Sequence, residues 1–178
     1  MTAPPGQSTA VVGLGANLGD RAGCLQRGLD LLAAKTDVTV RAVSRVYETD
    51  PVGGPEQPAF LNAVCLLETT LPPLELLGVL HDVEQACGRV RDVHWGPRTL
   101  DLDVISVGAL VCSGPSLTLP HPLAHERAFV LVPWLDLDPA AELPGRGAVA
   151  ELSAATATAG VRRCADVRLE LPVGGRPA

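Results

Sequence analysis

Arg89-Val90-Arg91-Asp92-Val93-His94-Trp95-Gly96-Pro97-Arg98-Thr99-Leu100-Asp101-Leu102-Asp103 is the run whose reading decides the architecture. Its first part gathers three arginines, a histidine and a tryptophan around a Gly-Pro break, which regular structure does not accommodate. It then switches to strict alternation, with Leu100, Leu102 and Val104 interleaving Asp101 and Asp103. On a strand, side chains two apart share a face, so the aliphatic residues bury on one side and both carboxylates project from the other. An Asp-x-Asp pair alone reads more readily as a solvated strand edge than as a site. Here it follows an arginine-rich loop, and that context favours a site. Two neighbouring carboxylates raise each other's proton affinity unless a cation lies between them. Mg²⁺ takes oxygen ligands and joins carboxylates to substrate phosphates. Arginine forks grip phosphate oxygens. The combination points to metal-assisted phosphoryl chemistry.

Working outward, the other elements fall on either side of this strand. Thr9 to Leu14 reads as a first strand after a Pro/Gly-rich tail, residues 1–8. Gly13-Leu14-Gly15-Ala16-Asn17-Leu18-Gly19-Asp20 follows the strand but is no dinucleotide fingerprint, because Leu18 occupies the third glycine position. It also lacks the Lys-Ser/Thr ending of a P-loop. The glycines are expected to turn the backbone into a helix capped by Asp20, with Leu25, Leu29 and Leu32 on its buried face. Val38 to Tyr47 alternates as a strand, 48–58 is a Gly/Pro loop, and Phe60 to Thr69 is the next strand. Phe60 and Asn62 share a face there; they fit either core packing or a stacking-plus-amide site for a flat heterocycle. Pro72-Pro73 opens a second helix with Leu76, Leu80, Val83 and Cys87 buried and Gly88 as its stop. Glu84 sits in its last turn, the unfavourable end of the helix dipole for a carboxylate, and invites a partner.

Beyond the central run, a turn at Val107-Gly108 precedes a short stretch to Cys112, and 117–122 is extended. His125 to Trp134 reads as a short helix ended near Pro133. A weak helix over Val149 to Ala157 and a strand over Val167 to Leu171 are expected in the tail. His121 and His125 are separated by Pro122, and no third ligand completes a zinc site. The order strand, helix, strand, strand, helix, strand is the split βαβ arrangement, with two helices on one face of an antiparallel sheet.

Composition narrows the function. The chain has 178 residues, 47% hydrophobic and 19% charged, which suits one domain with a real core. A net charge of −6 argues against a general nucleic-acid or membrane-surface binder. Cys24, Cys65, Cys87, Cys112 and Cys164 form no Cys-x-x-Cys pair and read as reduced thiols of a cytoplasmic protein. No apolar run reaches membrane-spanning length, and the N-terminus lacks a signal-peptide pattern.

Trp95 to Asp103, preceded by Gly88-Arg89-Val90-Arg91, closely resembles the signature of the 6-hydroxymethyl-7,8-dihydropterin pyrophosphokinases of the folate pathway. The likeness extends in order over roughly 9–145, through Gly13 to Asn17, Thr49 to Asn62, and Pro120-His121 to Arg127 and Phe129. The resemblance implies an α+β fold: a ferredoxin-like βαββαβ sandwich, largely antiparallel, with helices packed on it and C-terminal additions. It implies transfer of pyrophosphate from ATP to the pterin hydroxymethyl, with AMP released and two Mg²⁺ ions as cofactors. Asp101 and Asp103 match the metal ligands, and Arg89 and Arg98 the loop arginines of catalysis. Glu84, Arg91, Trp95, Arg98, Val104, Thr118, His121 and Arg127 match ATP-binding positions. Thr49, Val52, Phe60, Asn62, Trp95 and Phe129 match the pterin pocket. Asp50 stands where proline is common, and His81, Ser116 and Pro122 replace Gln, Arg and Tyr. The expected organisation is a tail (1–8) and one catalytic domain (9–178), whose motifs end near 145 and whose extension is 146–178. Its partners are small molecules, with no nucleic acid and no membrane, and it is a monomer. The alternative is a non-catalytic ferredoxin-like nucleotide- or RNA-binding domain. Against it, the chain lacks the Arg/Lys-Gly-aromatic strand motif and is acidic.

Overall fold

In the computed structural model, which describes residues 6–51, 57–88, 98–158 and 160–172, the elements follow the expected order with additions at the end. They are β1 (Ser8–Ala16), α1 (Arg21–Ala33), β2 (Val38–Val43), β3 (Tyr47–Thr49), β4 (Phe60–Thr69), α2 (Pro73–Ala86) and β5 (Asp101–Val107). Then come β6 (Cys112–Ser113), β7 (Thr118–Leu119), a 3-10 turn (Ala124–Glu126) and α3 (Ala128–Leu137). The chain continues through β8 (Glu142–Leu143), β9 (Gly147–Ala148), α4 (Val149–Ala155) and β10 (Val161–Arg163). The main sheet has the order β10-β3-β4-β1-β5, and β2 also pairs with β4; every pairing is antiparallel.

Period-2 alternation splits β1 between two cores. Ala10, Val12, Leu14 and Ala16 pack against Leu25, Leu29 and Leu32 of α1 and Leu76, Leu80 and Val83 of α2. Leu100, Leu102 and Val104 join the same cluster, as their alternation requires. Each such leucine is fully or almost fully buried, contributing roughly 1.5–3 kcal/mol. On the opposite face, Val11, Val64 and Ile105 meet Val130, Leu131 and Trp134 of α3 and Val149 of α4. The expected α1/α2 layer is present, and the later helices add a second layer across the sheet.

Local chemistry explains the boundaries. The Asp20 carboxylate accepts a hydrogen bond from Gly23 N–H at 3.0 Å, capping α1. Gly88 follows α2 at φ +78°, a conformation that glycine adopts without steric cost. Glu84 is only 1% exposed, and its Oε1 accepts from Leu102 N–H at 2.8 Å. The carboxylate at the end of α2 therefore grips the strand that carries the two aspartates.

Four expectations need correction. Gly13 and Gly15 lie within β1; the turn into α1 is taken by Gly19, at φ +62°. The Val38 to Tyr47 strand is broken at Ser44, whose hydroxyl accepts from Val64 N–H at 2.9 Å while its N–H donates to Val64 O. Helix α3 runs through Pro133 to Leu137, because its apolar side chains are buried against the sheet and outweigh one lost backbone bond. Val167 to Leu171 is not a strand: Val167 and Leu169 pack on the core, and the Glu170 backbone exchanges two hydrogen bonds with the Gln26 side chain. The late strand is instead β10, on the free edge of β3. No helix among the described residues is long and apolar enough to cross a membrane.

Glu84→Ala should lower unfolding free energy by about 1–3 kcal/mol, the cost of orphaning a buried backbone donor, read as a lower denaturant midpoint. Cys65 provides a pH test. Burial pushes its thiol from 9.0 up to about 12. Below pH 9 both folded and unfolded chains keep that proton; between 9 and 12 only the fold does, so stability falls by about 1.4 kcal/mol per pH unit from this group. In native protein at pH 8, alkylation followed by mass spectrometry should modify exposed Cys112 and spare Cys65.

Candidate active site

Residues paired directly across antiparallel strands share a face, so the register builds the site. Gly15 of β1 pairs with Asn62 of β4 on one side and Asp101 of β5 on the other. Gly13 pairs with Val64 and Asp103 in the same way. Thr49 of β3 pairs with Phe60. The centre of the sheet is thus a floor without side chains, with an aromatic and an amide along one margin and two carboxylates along the other. A Cβ placed on Gly15 would lie 3.1 Å from Asn62 Oδ1 and 4.0 Å from Asp101 Cβ, so the bare backbone sets the width of the floor. A cavity of about 800 Å³ opens over it.

The wall facing this floor comes from the segment entering α3. His121 N–H donates to Ile105 O at 2.8 Å, laying that segment along β5. Arg127 Nη1 lies 3.3 Å from Asp103 Oδ2, and its guanidinium sits 5.5 Å from the centre of the Phe129 ring. Arg98 pairs with Asp101. Burial, followed by the neighbouring Asp101 charge, raises the Asp103 pKa, although His121, Arg127 and Arg98 oppose the shift. Burial lowers the His121 pKa, and Asp103 pulls the other way. The pair of acids, with hard oxygen donors on one strand face and an excess affinity for positive charge, suits a divalent cation.

Thr49 Oγ1 accepts from Asn62 Nδ2 at 2.7 Å in a buried contact, which leaves Asn62 Oδ1 turned toward Gly15. Asn17 joins two loops. Its Nδ2 donates to Gln57 Oε1 and Pro58 O at 3.0 and 3.1 Å, and its Oδ1 accepts from Arg98 N–H at 2.7 Å. The N–H groups of Asn17 and Leu18 return to Arg98 O.

Of the residues singled out from sequence, Thr49, Phe60, Asn62, Arg98, Asp101, Asp103, His121, Arg127 and Phe129 surround one cavity. Glu84 lies under β5, Val104 points into the core against α1 and α2, and Thr118 pairs with Ser113 in a small hairpin; none of these three lines it. Val52, Arg89, Arg91 and Trp95 lie outside the described residues. The roles of Asn17 and the two strand glycines were not read from sequence; their only signal was Gly-x-Gly-x-Asn straddling a strand end.

The family model described as 7,8-dihydro-6-hydroxymethylpterin-pyrophosphokinase (HPPK) matches residues 11–139. A 2-amino-4-hydroxy-6-hydroxymethyldihydropteridine pyrophosphokinase of Pseudomonas aeruginosa is 43% identical over 152 residues, covering 85% of this chain and 94% of that one. The enzyme of the same name from Mycobacterium tuberculosis is 46% identical over 147 residues, covering 77% and 76%. Among solved structures, wild-type Plasmodium falciparum HPPK-DHPS with pterin and p-hydroxybenzoate superposes with a TM-score of 0.64 at 14% identity, over 87% of this chain and 42% of that one. The family match spans β1 to β5 and the segment entering α3, and the Pseudomonas relative covers most of the chain, so the chain belongs to the 7,8-dihydro-6-hydroxymethylpterin-pyrophosphokinase family.

Proposed function

We propose that this cavity binds 6-hydroxymethyl-7,8-dihydropterin over Gly15, between Phe60 and Phe129, and the ATP triphosphate beside Asp101 and Asp103. The activity is that of the family: an ATP-dependent pyrophosphokinase of folate biosynthesis. One observation carries the site reading. Gly15 alone separates an amide-and-aromatic margin from a two-carboxylate margin, so a flat ring and a polyphosphate can lie edge to edge.

The pterin hydroxymethyl oxygen attacks the β-phosphorus of ATP, the bond from that phosphorus to the α-phosphate oxygen breaks, AMP leaves, and the hydroxyl proton is lost. Positioning and charge neutralisation do most of this work. Asn62 Oδ1, oriented by Thr49, accepts a ring N–H, and the two phenyl rings stack on the pterin faces. Arg98 and Arg127 supply guanidinium groups to phosphate oxygens, with Arg89 and Arg91 in the roles the family likeness implies. His121 stands beside Arg127 at the phosphate end. On the same likeness, Val52 and Trp95 are assigned to the pterin pocket, and Trp95, Val104 and Thr118 to ATP-binding positions. Glu84 serves ATP indirectly, by fixing β5. Asp101 and Asp103 would hold Mg²⁺, two ions on the family pattern, which would neutralise phosphate charge and make the attacking oxygen more acidic. The protein acts on small molecules as a cytoplasmic monomer. The RNA-binding alternative is not favoured: α3 and α4 cover the Val11, Val64 and Ile105 part of the sheet face that would stack bases.

Asp101→Ala should reduce kcat by about 10²-fold or more while pterin still binds, read as AMP release beside calorimetry. Full turnover in that variant without added divalent metal would refute the metal role. Gly15→Ala should fold normally, since its backbone needs no positive φ, yet push Asn62 out of place and raise the pterin KM about tenfold or more. An unchanged pterin KM would remove the pterin from this floor.

A further inference from the structure

The tail beyond the family-matched residues 11–139 contributes to the same cavity: Thr156, Ala157, Gly160 and Val161 line it. Strand β10 reaches there by pairing with β3, Val161 opposite Thr49, Arg162 opposite Glu48 and Arg163 opposite Tyr47. Cys164 N–H then donates to Val46 O at 2.9 Å. Val161 shares the face of Thr49, whose hydroxyl fixes the Asn62 amide.

Arg162 secures this edge with both nitrogens. Its Nη1 and Nη2 donate to the Asp50 carboxylate at 3.2 and 2.9 Å, and Nη2 lies 3.6 Å from Glu48 Oε1. Glu48 Oε2 is held in turn by Arg21 Nη1 at 3.0 Å, and that nitrogen also donates to Ala59 O at 2.8 Å. Gly160 passes close enough that a Cβ there would touch Asp50 Oδ2 at 3.9 Å. Asp50 is the position where the family resemblance leads one to expect proline. Proline stiffens a loop through its own ring. Aspartate cannot, but it can be held from outside by a forked guanidinium.

We propose that β10 is a positioning element for the pterin, in which the Arg162 fork on Asp50 fixes the end of β3 and thereby the Thr49–Asn62 pair that orients the ring. Three residues of β3 are too few to hold Thr49 by their ladder with β4 alone. The second edge and the fork supply the missing restraint at the residue where β3 gives way to the loop. Arg162 does not touch substrate; it acts through Asp50 and Thr49. The inference rests on the pterin assignment made above.

The test is calorimetry of 6-hydroxymethylpterin binding to the full chain with Mg²⁺ and a nonhydrolysable ATP analogue, for wild type, Arg162→Ala, Asp50→Ala, the double variant and Arg162→Lys. Each alanine variant should weaken pterin binding about three- to fivefold, and the double variant no more than either single one, because both remove one linkage. Affinity for the ATP analogue should stay within about twofold of wild type, and Arg162→Lys, which keeps the charge but loses the fork, should recover only part of the pterin affinity. Unchanged pterin affinity in Arg162→Ala, fully additive losses, or an equal loss for the nucleotide would overturn the proposal while wild-type pterin binding kept the site reading intact. Absence of pterin binding by the wild type would sink both.

Discussion

The pairing of Gly15 between Asn62 and Asp101 is the constraint on which the site depends. A central strand offers two faces to the rest of the fold. β1 fills one with Ala10, Val12, Leu14 and Ala16 and packs it solidly on two helices. On the other face it carries Val11 at the α3 end and glycine at 13 and 15, so the hydrophobic layer stops and a floor begins. The same strand is therefore core on one side and cavity on the other. Rigidity of the packed face gives the bare face its precision, since the backbone under a ligand moves only if the core beneath it moves.

Two buried polar side chains carry that rigidity to the loops. Glu84 is expensive to bury, and its hydrogen bond to Leu102 N–H offsets part of that cost while fixing the strand between the aspartates. Asn17, 2% exposed, bonds at once to the end of the 50–58 loop and to Arg98. A displacement of either loop would leave part of the Asn17 amide unsatisfied. The amide-and-aromatic margin and the arginine margin are thereby coupled through one amide group.

The sequence was informative where structure is local. Leucines at i, i+4 and i+7 marked α1, the Asp20 cap and the Gly88 stop fell where expected, and alternation after Leu100 placed both aspartates on one face. The glycine floor was not legible, because it exists only through register with two strands some fifty and ninety residues away. Strand β10 escaped for the same reason: three residues, Val161–Arg163, have no periodicity to read, and their pairing with β3 is set by the rest of the chain. The more apolar Val167 to Leu171 drew the strand expectation instead, yet among the described residues its backbone bonds to the Gln26 side chain and to no strand. Pro133 misled in the opposite direction, since burial along α3 outweighed its local preference.

Charge explains how an acidic chain can hold a polyanion. With a net charge of −6, the protein as a whole repels a triphosphate, so attraction must be built locally. In the cavity Arg98 is committed to Asp101 and Arg127 to Asp103, and these pairings keep the carboxylates from repelling one another apart. A guanidinium and a divalent cation compete for the same carboxylate oxygens. On the proposed reading, Asp101 and Asp103 would hold the cation, and Arg98 and Arg127, released from those acids, would turn to phosphate oxygens. Charge neutralisation at the acids and phosphate binding at the arginines would then favour one another. The raised proton affinity of Asp103 belongs to the same arrangement, with burial as its first cause and the Asp101 charge as its second.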